Sequence, residues 1–297
     1  MYYYKLYGMR LASDFELVQL VTLSEQEQKL APQITILEKP FPKEYKREQD
    51  CYSEIKKEQS ILSNSYCYLL MEAGERIFYE RKEKATDKLL NAYILGWGIA
   101  ILCYQRGLLA IHCACVEKDG SAILISGDSG SGKSTITGEL LKCGYTLMAD
   151  DITVIATEGK DSVVAAPAFP YQKLCRDALS GEELADEGVI YIDEDKDKFL
   201  VPYRGRFCKE ALPVKAMYVL GLSVDNAVKV EELVGGDKFR VCMNSLFLKP
   251  LLGAQLYAVE NGIQVLEFAS RIPVYSIKRP VWKDSRDEIR NIILKMQ

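Results

Sequence analysis

The sequence predicts an α/β fold in which a phosphate-loop domain follows a small β-rich domain. Three observations predict it. Residues 1 to about 85 carry short alternating or aromatic stretches cut by turns. An apolar strand runs into the glycine-rich segment 127–134, and a helical pattern leaves it. Strand-like and helix-like segments then alternate to the end of the chain.

Composition removes several classes of function. The chain has 297 residues, 38 Lys+Arg against 42 Asp+Glu, a formal charge of -4 and 48% hydrophobic residues. That balance describes a globular protein with ample chain for a core, and neither a disordered nor a fibrous one. Without a basic tract, no electrostatic footprint for nucleic acid or an anionic membrane is expected. Nine cysteines with no C-x-x-C pair argue against a disulfide scaffold or a zinc site. The first eight residues lack the basic start and apolar core of a signal peptide, so a cytoplasmic location with reduced thiols is expected. The longest apolar run, 89–104, contains Asn91, Gly96 and Gly98 and is shorter than the roughly 20 residues of a membrane span, so it reads as a buried helix.

Taken in order, strand-like stretches fall at 5–11, 33–37, 66–71 and 76–79, with a solvated loop or exposed strand edge at 39–60. These make up a β-rich domain of residues 1–87, and a second domain spans 88–297. Thr86-Asp87 caps a helix from Lys88 through Tyr93, Trp97 and Ile101 to Arg106-Gly107. A strand at 108–117, a turn at Lys118-Asp119-Gly120 and a second strand at 121–126 lead to the glycine-rich loop. A helix closes near Cys143-Gly144, and the strand 145–149 ends at Asp150-Asp151, with another strand at 152–156. Farther on, the pattern gives a Pro-containing connection at Pro167 and Pro170, a short helix at 176–184, and an acidic stretch at 186–197 read as a solvated loop, with a lid as the alternative. A strand at 216–223, helices at 245–259 and 261–269, a strand at 274–278 and a terminal helix at 285–296 complete the chain.

The segment Gly127-Asp128-Ser129-Gly130-Ser131-Gly132-Lys133-Ser134 fits G-x-x-x-x-G-K-[ST]. Its glycines let successive N–H groups curl around phosphate oxygens, and the following helix turns its positive end toward them. Lys133 reaches the β/γ-phosphates of a bound triphosphate in this reading, the Ser134 hydroxyl ligates Mg²⁺, and Thr135 extends the contact. A bound nucleotide needs a second anionic element, and Asp150-Asp151 supplies it. Strand alternation sends the two carboxylates to opposite sides, one toward the metal and the other toward an incoming hydroxyl. His112 is the only histidine and, by pattern alone, reads as a core residue of an apolar strand. Cys113 and Cys115 fall on one strand face and read as small buried hydrophobes.

The order Ile111-His112, the strand and turn to Gly120, the phosphate loop, and Leu147-Met148-Ala149-Asp150-Asp151 resembles the catalytic domain of the HPr kinase/phosphorylase family. A narrower resemblance, carried by 7–14, by Leu95-Gly96, by 106–109 and by 167–179, is to the HPr-kinase-like group that includes lasso-peptide tailoring kinases and free-serine kinases. The resemblance implies a phosphate-loop kinase domain of the HPr kinase/PEP carboxykinase type that uses ATP and Mg²⁺. It implies a serine-type acceptor on a peptide, a protein or free serine, and it permits a homo-oligomer. By the same resemblance Asp150 is the base, His112 lies against Asp150 to tune its charge, and Asp151 joins Ser134 on the metal, although the two aspartates could exchange roles. Thr135 stands where HPr kinases usually carry Glu, and their signature after the double aspartate is not found, which argues against HPr as substrate and a reverse phosphorolysis reaction; a bifunctional HPr-type kinase/phosphorylase stands as an alternative. Lys173, Arg204 and Arg206 are candidates for anion contacts to the substrate. The alternative from another class is a nucleotide-sensing regulatory module with only incidental hydrolysis.

Overall fold

Alternating apolar residues in the first eighty positions form one mixed sheet of eight strands. They are β1 (Tyr2–Leu6), β2 (Met9–Ser13), β3 (Val21–Thr22), β4 (Ile34–Glu38), β5 (Tyr52–Glu54), β6 (Gln59–Ser63), β7 (Cys67–Glu72) and β8 (Arg76–Arg81), in the order β3-β1-β2-β4-β8-β7-β6-β5. The computed structural model describes residues 1–47, 49–158, 162–179, 188–193, 197–203, 205–247, 249 and 259–297. The stretch read as one strand at 5–11 is instead a hairpin, because Tyr7 and Gly8 both take positive φ and reverse the chain between β1 and β2. In the segment expected to be solvated, 39–60, β5 forms the sheet edge, in agreement with the strand-edge reading.

Thr86 caps the next helix, its Oγ1 accepting from the Leu89 amide at 3.3 Å. The helix is not regular: α1 (Asp87–Tyr93) widens into a π-helical turn at Ile94–Gly98 and resumes as α2 (Ile99–Gln105). Beyond it lie β9 (Leu109–Ile111), β10 (Cys113–Lys118), β11 (Ser121–Gly127), α3 (Lys133–Lys142), β12 (Thr146–Ala149), β13 (Thr153–Glu158) and β14 (Ser162–Ala166). Then come β15 (Tyr171–Cys175), β16 (Ile190–Asp193), β17 (Lys198–Pro202), β18 (Leu212–Ser223), β19 (Lys229–Glu232), α4 (Gly235–Asn244), α5 (Val259–Arg271), β20 (Val274–Pro280) and α6 (Arg286–Lys295). The order of the main sheet is β12-β10-β11-β18-β14-β13-β9, with β20 running parallel to β18 and carrying β19 on its other side. β11 and β18 are also parallel, so β11, β18 and β20 all end on the side where the loop begins. β15, β17 and β16 form a small third sheet.

Several expectations change. The strand read at 108–117 is broken at His112, whose amide donates to the Ser245 carbonyl at 2.7 Å while β9 pairs with β13 and β10 with β11. The helix expected at 245–259 does not begin at Ser245, which ends α4; residues 248 and 250–258 lie outside the described residues. Two glycines at its start hide α4 from a propensity reading. Only a single 3₁₀ turn, Arg176–Ala178, occupies the start of the helix expected at 176–184, and 180–184 lie outside the described residues. Within the acidic stretch 186–197, the apolar run at 189–192 gives β16 instead of a loop, while 186–187 and 194–196 lie outside the described residues.

One face of the main sheet shares a continuous core with the first sheet, from Tyr4 and Leu69 through Ile99 to Leu124 and Val274. The opposite face is covered by α3 and α6, where Ile136, Leu140, Ile289 and Ile293 bury against Ile123, Ile125 and Tyr218. Each such side chain contributes about 1.5–3 kcal/mol. Cys67, Cys103, Cys113, Cys115 and Cys242 are buried and Cys51 is exposed. Burial pushes the Cys67 thiol up to about 11 and those of Cys103, Cys113 and Cys242 up to about 12. Among the described residues no helix is long and apolar enough to cross a membrane.

Candidate active site

The loop leaves β11 at Gly127 with φ +142°, where a Cβ would stand 2.4 Å from the Leu220 carbonyl oxygen and 2.6 Å from Ser131 Oγ. Only glycine fits there. Gly130 (φ +82°) and Gly132 (φ +105°) complete the turn, and Gly132 enters α3 without any side-chain cap on the helix amides. The uncapped helix start carries unpaired N–H donors and partial positive charge. Ser131 Oγ is buried and has no hydrogen-bond partner among the described residues. An uncapped helix start, a strand end at Gly127 closed to a Cβ and an orphaned hydroxyl fit a phosphate chain. Lys133 Nζ donates to the carbonyls of Gly127 and Asp128, the latter at 3.3 Å. Burial lowers the lysine's affinity for its proton, and Asp151 opposes this.

Asp150 and Asp151 follow β12 and turn to different partners. Asp150 Oδ2 accepts from the Lys173 amide at 2.6 Å, whereas Oδ1 is buried without a hydrogen-bond partner among the described residues. Burial raises this carboxyl to about 7, partly offset by the Lys173 amide and reinforced by the neighbouring Asp151 charge. Burial would raise Asp151 as well, but Lys173, His112, Lys198 and Lys133 outweigh it and hold the carboxyl below its ordinary value. Lys173 Nζ lies 3.5 Å from Asp151 Oδ2. His112 was expected against Asp150, yet its Nδ1 is 3.6 Å from Asp151 Oδ1. The break at His112 places the ring beside Phe247, at 6.0 Å between centroids, and on the Asp151 side. Burial depresses the imidazole, opposed by Asp151, so neutral His112 is favoured at pH 7.

A cavity of about 910 Å³ joins these groups. His112, Asp128, Ser129, Gly130, Gly132, Lys133, Ser134, Thr135, Asp150, Asp151 and Lys173 all line it, as do Tyr7 and Gln19 from turns between strands of the first sheet and Asn91 and Trp97 from the helix. Of the residues expected to contact substrate, Lys173 is present but engaged by both aspartates, through its amide and its ammonium. Arg206 is exposed and does not line the cavity; its carbonyl instead accepts from the Leu147 amide at 3.2 Å. Arg204 lies outside the described residues. Sequence reasoning missed Lys198, Phe247 and Arg279, which line the cavity too. Arg279 Nε donates to the Ser131 carbonyl at 3.2 Å and a terminal nitrogen lies 3.4 Å from the Gly130 carbonyl. Its signal was available: ligands of open parallel sheets sit at the carboxyl ends of strands, and β20 ends at Arg279-Pro280.

The set Ser134 and Asp151 suits a hard cation that keeps waters and phosphate oxygens as most of its ligands. Among the described residues no cluster of three or more His, Cys, Asp or Glu side chains could hold a metal on its own.

Fold and loop together define a mixed α/β protein in which a glycine-rich loop and two adjacent carboxylates line one cavity. Residues 108–175 match the HPr Serine kinase C-terminal domain. The HPr kinase/phosphorylase of Lachnoclostridium phytofermentans is 33% identical over 103 residues, 35% of this chain and 31% of that protein. That of Mycoplasmopsis pulmonis is 37% identical over 91 residues, 31% and 27% of the two chains. The Treponema pallidum protein of the same name is 45% identical over 56 residues, 19% and 18%. Each match spans less than a third of the relative's length. The solved Hpr(Ser) kinase/phosphatase from Coxiella burnetii aligns over 63% of this chain and 89% of its own, at 14% identity and a TM-score of 0.32. Over the loop and the double aspartate, the chain is similar to the HPr kinase/phosphorylase family, as its motif order suggested.

Proposed function

We propose that the chain is an ATP-dependent phosphotransferase that moves the γ-phosphoryl group to a serine-type hydroxyl of a small peptide or of a free amino acid. One observation carries this reading: the phosphate loop and two carboxylates with oppositely shifted affinities for a proton border the same cavity. A carboxyl near 7 suits a group that accepts a proton at neutral pH, and one held ionised suits a metal ligand. Asp150 therefore takes the acceptor's proton as the acceptor oxygen bonds to the γ-phosphorus, the bond to the bridging oxygen breaks, and ADP departs. Mg²⁺, held by Ser134 and Asp151, would neutralise the charge on the phosphates. Lys133 and the loop amides do the same from the protein side, so that catalysis is mostly positioning and charge balance.

A second reading, a protein serine as acceptor, is favoured by the names of the relatives, HPr kinase/phosphorylase. ADP formation from Mg-ATP, measured with free L-serine, a serine peptide and HPr in turn, separates the acceptors. Lys133→Ala should reduce turnover at least a hundredfold. Asp150→Asn should abolish transfer while leaving ADP binding within about twofold. Mg-ATP binding with no acceptor phosphorylated would sink the kinase reading in favour of a nucleotide sensor, and near-normal transfer by Asp150→Asn would remove the base assignment.

A further inference from the structure

A second, smaller cavity of about 410 Å³ opens beside the phosphate loop. It shares Gly132, Thr135 and Arg279 with the large cavity, so the two meet at the loop, but neither aspartate nor His112 borders it. Ile136 of α3 lines it, as do Val281 and Trp282, which follow β20. Trp282 is 59% exposed and Val281 51%, although both are large apolar side chains. An isolated exposed apolar residue needs no explanation, but an adjacent pair bordering a cavity beside a phosphate cradle does.

The chemistry of transfer decides what this space holds. The attacking and leaving oxygens lie roughly in line on opposite sides of the transferred phosphorus. Asp150, Asp151 and His112 line the large cavity and not the small one, which puts the acceptor on the large cavity's side and lets the rest of the nucleotide leave the loop away from it. The small cavity is a second space that meets the loop among the described residues, and its volume is in the range of small-molecule sites. From these observations we infer that the small cavity receives the nucleoside of the triphosphate, with Trp282 stacking on the base. The inference rests on the phosphate-loop reading above and adds to it a nucleoside site and a stacking residue. Arg279 stands where the cavities meet, held by the loop carbonyls, and marks the passage from the phosphates to the nucleoside.

Calorimetric titration of the full chain with Mg-ADP and, separately, with magnesium tripolyphosphate tests it, because tripolyphosphate has the phosphates and no nucleoside. Trp282→Ala should weaken ADP about tenfold, the scale of one lost base–aromatic stack, and leave tripolyphosphate unchanged. Trp282→Phe should recover most of the loss. Unchanged ADP affinity in Trp282→Ala, or equal weakening of both ligands, overturns the nucleoside assignment while the loop reading stands. Wild-type protein that binds neither ligand overturns the loop reading and this inference with it.

Discussion

Gly127 is the residue at which the loop tolerates least change. A methyl group there meets backbone at 2.4 Å, and its φ of +142° is a conformation that L-residues avoid. Gly127→Ala should destabilise the chain by at least about 2 kcal/mol in urea unfolding and abolish tripolyphosphate binding, since the cradle and the strand end cannot both be kept. Asp150 presents the opposite case, a residue the fold would rather not charge. Its carboxyl titrates near 7 in the folded chain against an ordinary value of 3.8, so the folded state favours the protonated form. The resulting stability is fully present below pH 3.8 and is lost as pH rises through about 7. Asp150→Asn keeps a carbonyl for the Lys173 amide and removes the charge. Its melting temperature relative to wild type should therefore rise between pH 5 and pH 8; a difference that stays constant over that range would contradict the burial argument.

At the scale of elements, the π-helical turn at Ile94–Gly98 gives a paired test. Gly96 has open space where a Cβ would stand, whereas a Cβ on Gly98 would lie 3.1 Å from Ile77 Cδ1. Gly96→Ala should stabilise the helix by roughly 0.5–1 kcal/mol, and Gly98→Ala should gain nothing or lose, as thermal unfolding of the two variants will show. The same helix shows what a sequence carries and what it omits. Its cap at Thr86 and its apolar run were legible because they are local; the widened turn within it was not. The loop from Gly127 to Ser134 was legible for the same reason, being eight consecutive residues with one stereochemical task. Arg279, Lys198 and Phe247 escaped because only the pairing of β20 with β18, of β17 with β15, and the packing after α4 bring them to the loop. His112 was found by its place in a motif, but that Asp151 is the carboxylate beside it was not legible, since a break between β9 and β10 cannot be read from an unbroken apolar run.

For the molecule as a whole, the first sheet and the main sheet are tied together more tightly than two domains joined by a linker. Taken as 1–87 and 88–297, the halves share one apolar core. Tyr7 donates its hydroxyl to the Ile152 carbonyl at 3.1 Å, immediately after the double aspartate, and its amide to the Pro167 carbonyl at 3.0 Å. Gln19 and Asn91, both buried, exchange amide hydrogen bonds of 2.6 and 3.1 Å at the cavity wall. Calorimetry should accordingly show a single unfolding transition. Two separated peaks would mean that the shared core does not couple the halves. Tyr7→Phe should cost about 1 kcal/mol, the net worth of one buried hydrogen bond.

The uneven burial of the thiols has a practical consequence. Cys51 sits exposed beside the edge strand β5, and five of the other eight cysteines are sealed in the core. Thiol-directed dyes attack the thiolate, which the buried residues scarcely form at neutral pH. Brief labelling at pH 7 should therefore mark Cys51 first, at a position that borders neither cavity. The native chain thus offers its own attachment point for a fluorophore, and acceptor binding could be followed by anisotropy without engineering a cysteine or disturbing the loop.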